Sequence, residues 1–339
     1  MNEKYTINRK SDTFRRKNSG RRAGRLIGLR RKDTDSMTGL QEKIFEIMKT
    51  FDRVCRENGL QYYMLGGTML GAIRCKGFIP WDDDADFGLL RKEYDKLLSL
   101  PEQCFPTGYR LRHFSKEDGV PYAFIRLEDE RTTCIEARRS GGGYEGGVYI
   151  DIFPLDADSN NLALRILKEW YVRLEKKLLY AHIAEQGAVK NPVKRLVMRL
   201  ISKYTDADTL VRQLDHTVRA YGRKRETMPQ WGEARCSNYL GHWGRKESIP
   251  RRVFDGEIRQ RKYFAFDMRR GEQIEARPEG RSREYEFEGY SFFGPVDNAA
   301  YLTALYGPDY MIPPKNDERV GHPATVIDLD RSYHSIKEK

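Results

Sequence analysis

Apolar residues recur at intervals of three and four at Leu40, Ile44, Ile47, Met48, Phe51, Val54 and Cys55. That period predicts an amphipathic helix from Leu40 to Asn58, with Gly59 as its stop. Gln61 to Leu65 reads as a strand, broken by Gly66-Gly67-Thr68, which opens a short helix ending at Arg74. Ala85 to Leu90 reads as a second strand, and Arg91 to Leu100 as a helix halted by Pro101. Strand-like runs follow at 109–114, 122–127, 132–136 and 148–153. Residues 160–225 then carry helical spacing with no strand signal. Within them Asn191-Pro192 supplies an N-cap and first-turn pair for a helix to about Lys203. The pattern lapses over 226–286, which is Arg-rich and irregular. It returns as one strand from Phe287 to Pro295 and a helix from Asp297 to Tyr306.

Helices interleaved with strands that cluster after residue 100 predict an α+β sheet domain. The expected organisation is a flexible tail over 1–35, a catalytic core over 36–158 and a helical segment over 159–225. An irregular region over 226–339 ends in a segment that packs back on the core.

Charge sharpens this division. Residues 1–32 hold 12 Lys and Arg against 2 Asp and Glu, and residues 160–225 hold 15 against 6, whereas residues 33–159 are net acidic, with 16 against 23. The basic character therefore sits in the tail and the helical segment, where it favours an anionic membrane surface. The tail carries only Tyr5 and Phe14 as aromatics, so base stacking is poorly supported and no specific nucleic acid is expected. With 39% hydrophobic and 33% charged residues in 339, the chain is neither disordered nor a coiled-coil rod. No run approaches the roughly 18 apolar residues of a membrane span. The basic N-terminus lacks the apolar stretch of a secretory signal, and five scattered cysteines suit reduced thiols. The expected location is cytoplasmic, peripheral at the inner membrane face.

Candidate chemistry concentrates between Gly66 and Gly88. Asp82, Asp83, Asp84 and Asp86 fall within five residues, an arrangement that like-charge repulsion disfavours unless a cation compensates it. If Asp84 starts the strand, Asp84 and Asp86 share one sheet face. Oxygen ligands without His or Cys favour Mg²⁺ or Mn²⁺. Gly66-Gly67 after a strand lets the backbone approach a phosphate at a helix start. Asp151 lies inside the apolar strand Val148 to Phe153, where an unpaired acid is costly, so it should face a metal, a cation or a cleft.

The stretch Gly-Gly-Thr-Met-Leu-Gly-Ala-Ile-Arg (66–74), followed by Gly77-Phe78-Ile79-Pro80-Trp81 and Asp82-Asp83-Asp84-Ala85-Asp86, resembles the signature of the LicD family. Those proteins are phosphocholine transferases and relatives of the nucleotidyltransferase fold superfamily. Ile150-Asp151-Ile152 resembles the superfamily's third acid. The segment from Tyr301 through Gly307, Pro313-Pro314 and His322 is similar to the family's closing region.

The resemblance implies a nucleotidyltransferase-like mixed-sheet core with a helical basic insertion and a C-terminal segment returning to it. It also implies Mg²⁺ or Mn²⁺ on Asp84, Asp86 and Asp151, with Asp151 as ligand or as base. The implied donor is a CDP-alcohol, CDP-choline foremost. The implied acceptor is a sugar hydroxyl of a cell-surface glycan, free or lipid-linked, of teichoic acid, lipopolysaccharide or capsule type. Gly66, Gly67 and Thr68 would hold phosphates, Arg74 and Arg126 would pair with phosphate oxygens, and His322 would reach the site; Trp81 would anchor the acidic loop or, on the substrate side, form one wall of a cage for a quaternary ammonium. Two other readings share these residues. One is transfer of NMP from an NTP to a small-molecule or sugar acceptor. The other is a basic-tailed membrane or nucleic-acid binding protein with surface acids.

Overall fold

The computed structural model describes residues 37–136, 146–157, 162–183, 191–220, 234–238, 272–276, 282–314 and 324–336. The basic tail and His322 lie outside the described residues.

Helix α1 (Gly39–Glu57) starts at a reciprocal cap. Thr38 Oγ1 accepts from the Gln41 N–H and Gln41 Oε1 accepts from the Thr38 N–H. Its buried face is the one the spacing marks, with Ile44, Ile47, Met48, Phe51, Val54 and Cys55 all inside. The short strand β1 (Tyr63–Met64) leads into α2 (Gly66–Arg74), β2 (Asp86–Leu90) and α3 (Arg91–Ser99). Strands β3 (Tyr109–Arg112), β4 (Ile125–Glu136) and β5 (Gly146–Ala157) follow. The sheet runs β1-β2-β5-β4, with β2 and β5 parallel and the β1–β2 and β5–β4 pairs antiparallel. This is the mixed sheet of an α+β domain. Phe51 of α1 packs 4.9 Å from the Tyr62 ring and 4.8 Å from Phe87 of β2, joining helix to sheet.

Two strand expectations need correction. The second half of the 122–127 run, from Ile125, and the 132–136 run belong to one strand, β4, carried through the charged stretch Glu128 to Arg131 by a register irregularity. The charges there find partners within the fold: Glu128 takes Arg112 Nη1 and Asp129 takes Arg131 Nε. Thr132 repairs the ladder, donating to the Asp129 carbonyl and accepting from the Val148 N–H. The single strand expected over 287–295 is instead a hairpin, β8 (Arg283–Phe287) and β9 (Tyr290–Gly294). Its turn is Glu288-Gly289, both left-handed with φ of 50° and 73°. Glu288 tolerates this backbone because its N–H donates to the Lys76 carbonyl and its Oε1 accepts from the Phe78 N–H.

Helices α4 (Leu162–Ile183), α5 (Pro192–Tyr204) and α6 (Ala207–Arg219) occupy the basic segment. Strands β6 (Ala234–Asn238) and β7 (Glu272–Ala276) extend the end of β5. After the β8–β9 hairpin come α7 (Asn298–Tyr306) and β10 (Ala324–Asp328), which pairs with the far half of β4. Phe287 and Phe292 of the hairpin and Leu302 of α7 are buried in the core. The hairpin is pinned to α1 by Asp52, which is fully buried and accepts from the hydroxyls of Tyr62 (2.5 Å) and Tyr290 (2.8 Å).

His113 lies buried between Tyr94 and Phe114. Burial, together with the positive charges of Arg91, Arg219, Lys116 and Arg212, pulls its imidazole down to about 3. The folded state thus refuses a proton that the unfolded chain accepts near pH 6.5. This stabilising contribution is complete above that pH and is lost as pH falls from about 6.5 towards 3, by at most about 5 kcal/mol. Replacing His113→Gln should flatten the acid limb of a melting-temperature titration relative to the unsubstituted chain. Parallel curves between pH 6.5 and 4 would contradict this.

Candidate active site

Sheet register assembles the first part of the site. Asp86 of β2 stands beside Asp151 of β5, and Asp151 stands beside Arg126 of β4. The three share one face of the sheet, since cross-strand partners point the same way. Arg126 Nε donates to Asp151 Oδ1 at 2.8 Å, and its guanidinium lies 3.7 Å from the Tyr149 ring centre and 4.6 Å from that of Tyr122. Arg126 is only 3% exposed, so burial and aromatic stacking fix its orientation. Its charge is aimed at Asp151.

Helix α2 supplies the second part. Thr68 Oγ1 accepts from the Asp86 N–H (2.8 Å), and the Asp86 carbonyl accepts from the Leu65 N–H (2.9 Å). These bonds tie the first turn of α2 to the start of β2. Gly66 adopts φ +49°, a left-handed backbone that a β-carbon would strain. At Gly67 a Cβ would sit 2.6 Å from Asp82 Oδ2. The acidic loop therefore lies directly on the glycine pair. Gln41 of α1 holds the loop from the other side, its Nε2 donating to the Asp82 carbonyl at 2.9 Å.

Asp82, Asp83 and Asp84 each present a carboxylate oxygen, and these atoms lie within 4.8 Å of one another. An all-oxygen set of that size fits a hard divalent cation such as Mg²⁺ or Mn²⁺ and suits Zn²⁺ poorly. Strand β2 begins at Asp86. Asp84 therefore precedes it, and strand alternation does not place Asp84 on the Asp86 face. The loop, rather than the strand, gathers Asp84 with Asp82 and Asp83.

Other expected residues divide. Thr68 sits at the centre of the site, with its hydroxyl proton available to donate while its oxygen accepts from Asp86. The Gly66 N–H was expected to face a phosphate, but it donates to the Tyr301 hydroxyl of α7 at 2.8 Å. Arg74 ends α2, eight residues and roughly 12 Å along the helix axis from Gly66. Its Nη2 donates to the Tyr310 carbonyl, and burial lowers its guanidinium from the usual value. Trp81 is half-buried against the core at the edge of the acidic loop. Gln41 and Tyr301 escaped the sequence reading. Tyr301 lies in the closing segment quoted above, whereas Gln41 had no signal in the sequence and its role appears only in the folded chain.

Residues 59–173 match the family model described as LicD/FKTN/FKRP, nucleotidyltransferase domain. The chain carries a LicD-family domain. It contains the glycine pair, the acidic loop, Arg126 and Asp151. Beyond that domain, the chain is similar to the lipopolysaccharide cholinephosphotransferase LicD of Haemophilus influenzae. The two are 24% identical over 293 residues, covering 81% of this chain and 92% of that protein. Uncharacterised proteins of Rickettsia typhi and Rickettsia prowazekii are 33% and 31% identical over 70 residues. These matches cover 21% of this chain in both cases, and 23% and 26% of the respective relatives.

The contact between Gly67 and Asp82 in the LicD-family domain gives a sharp expectation. A methyl at 67 displaces a side-chain carboxylate rather than backbone. If the acidic loop holds a divalent cation, Gly67→Ala should therefore lower turnover and raise the metal concentration for half-maximal activity by about tenfold, a shift of about 1.4 kcal/mol. The melting temperature should move little. Unchanged metal dependence would contradict the contact.

Proposed function

We propose that the chain transfers phosphocholine from CDP-choline to a sugar hydroxyl of a cell-surface glycan of the lipopolysaccharide type, releasing CMP. The observation that carries this is the similarity to the Haemophilus influenzae cholinephosphotransferase over 92% of that protein, together with the acidic loop seated on Gly66-Gly67. On this reading the mixed sheet is a nucleotidyltransferase-type core.

The acceptor hydroxyl oxygen attacks the phosphorus that bears choline, the bond from that phosphorus to the CMP oxygen breaks, CMP leaves with the electron pair, and the hydroxyl proton passes to the departing CMP phosphate or to solvent. Such transfers depend chiefly on positioning and charge neutralisation. Asp82, Asp83 and Asp84 would hold the metal, with Asp86 and Asp151 beside them completing the acidic face. A bound Mg²⁺ or Mn²⁺ supplies neutralisation of the diphosphate charge. Thr68 donates its hydroxyl proton to a phosphate oxygen. Arg126 fixes the Asp151 carboxylate by their 2.8 Å hydrogen bond. A carboxylate already accepting from a guanidinium is better suited to charge compensation than to proton abstraction, so we assign Asp151 to the metal side of the site. Trp81 anchors the loop. Arg74, at the far end of α2, braces the segment around Tyr310.

The test is CMP release from CDP-choline, CDP-ethanolamine, CDP-glycerol and CDP-ribitol, with Mg²⁺ and a glycan-lipid extract as acceptor. Release from CDP-choline, abolished by EDTA and restored by Mg²⁺ or Mn²⁺, is the expected result. Release from another donor alone would reassign the alcohol. No release from any donor would remove the proposal.

A further inference from the structure

Helix α5 packs against the protein by its less apolar side. Met198 is buried, Ile201 and Ser202 are half-buried, and Ser202 Oγ donates to the Ala181 carbonyl of α4. Its apolar stripe points the other way. Val193, Leu196, Val197, Leu200 and Tyr204 recur at three and four and are 47–75% exposed. The helix carries Lys194, Arg195, Arg199 and Lys203 and no acid.

Helix α4 buries Val172 and Leu179 on the core but leaves a second apolar stripe outside. Lys168 and Glu175 face inward, Lys168 Nζ donating to the Val218 carbonyl and Glu175 accepting from the Thr217 hydroxyl. Leu164, Leu167, Trp170, Tyr171 and Leu174 are 39–59% exposed. A globular helix places its apolar stripe on the core. Two neighbouring helices that each leave an apolar stripe outside mark a surface built for an apolar partner.

We propose that the α4–α5 face is a membrane-docking surface that lies in the headgroup region of an anionic bilayer. The occupant follows from the composition of the face. An apolar stripe of Leu and Val with Lys and Arg beside it and no acid on the helix fits an interfacial helix. Trp170, Tyr171 and Tyr204 are the side chains favoured at the boundary between headgroups and acyl chains. A protein partner of ordinary surface composition accounts for the stripe, but not for its combination with Trp170, Tyr171 and Tyr204 and the exposed Lys194 and Lys203 beside it. Among the described residues no helix is long and apolar enough to cross a membrane, so the contact is peripheral. This surface is distinct from the basic tail and independent of the catalytic proposal.

The experiment is flotation of the full chain with vesicles of phosphatidylcholine alone and of phosphatidylcholine with 40% phosphatidylglycerol, at low salt and at 0.5 M NaCl, with no donor or acceptor present. Binding to the anionic vesicles is expected, with part of it surviving high salt. The pair Leu196→Glu with Leu200→Glu should weaken it at least tenfold at unchanged melting temperature and unchanged molecular mass. The milder pair Val193→Ser with Val197→Ser should show an intermediate loss, which guards against a folding defect. Equal binding of both pairs and the unsubstituted chain would overturn the proposal in favour of the tail alone. A fall in mass from dimer to monomer in the Glu pair would overturn it in favour of a second copy as occupant.

Discussion

Asp84→Asn and Asp86→Asn should each reduce metal-dependent CMP release by about 10³-fold or more while leaving the melting temperature within about 2 °C. In the proposed reaction, charge stabilisation of several kcal/mol rests on the loop acids that would hold the metal and on Asp86 beside them, and each 1.36 kcal/mol is a factor of ten in rate. The fold should tolerate both changes. The Asp86 backbone keeps its bonds to Thr68 Oγ1 and the Leu65 N–H whatever its side chain. Asp84 precedes β2 in a half-buried loop where Asn has the same shape. Asp82→Asn and Asp83→Asn belong in the same series, because their oxygens share the 4.8 Å grouping with Asp84. If Asp82, Asp83 and Asp84 divide one ion, the three loop variants should raise the Mg²⁺ requirement as well as lower the rate. Asp84→Asn activity within threefold of the unsubstituted chain would remove the loop from the chemistry.

The largest stability effect is expected at Asp156, which is 1% exposed at the end of β5. Its two oxygens accept from Arg91 Nε (2.8 Å) and Nη2 (2.5 Å). Arg91 Nη1 reaches Asp215 of α6 at 3.0 Å, Asp215 takes Arg219 Nε at 2.6 Å, and Arg219 grips Asp95 of α3 with both terminal nitrogens. Burial pulls the Arg91 guanidinium down, but the Asp156 and Asp215 charges outweigh that and hold it above its ordinary value. This chain of charges fastens α6 to α3 and β5. Asp156→Ala leaves a buried guanidinium short of its compensating charge, a change that costs about 3–5 kcal/mol. The melting temperature should fall by of order 10 °C. The pair Arg91→Met with Asp156→Leu should recover much of the loss, since apolar replacements of a buried ion pair are often neutral. A drop below 2 °C for Asp156→Ala would show the network to be solvated.

Elements whose signal is local were legible in the sequence. The period from Leu40 to Cys55 fixed the buried face of α1. Gly66-Gly67 and the acidic run lie within 21 residues of one another and announced themselves as a unit. What failed was decided by distant partners. The turn at Glu288-Gly289 hides inside an apolar run, and its left-handed Glu is held by Lys76 and Phe78, more than 200 residues away. The charged stretch in β4 reads as a break because the arginines that neutralise it and the Thr132 ladder repair appear only in the folded sheet. Nothing near Gly66 in the chain foretells the Tyr301 hydroxyl that its N–H meets. The described residues of the basic segment form α4, α5 and α6. Their exposed apolar stripes were invisible, because periodicity shows that an apolar stripe exists but not which way it points.

The most direct measurement follows phosphorus. CDP-choline labelled separately on each of its two phosphorus atoms is incubated with the chain, Mg²⁺ and a glycan-lipid acceptor, and the labelled products are separated. The expected result is the choline-bearing phosphorus in the glycan and the other in free CMP, in equal amounts, with neither product formed by Asp86→Asn. Label from the CMP phosphorus in the acceptor, with phosphocholine released, would make the chain a nucleotidyltransferase and contradict the proposed reaction.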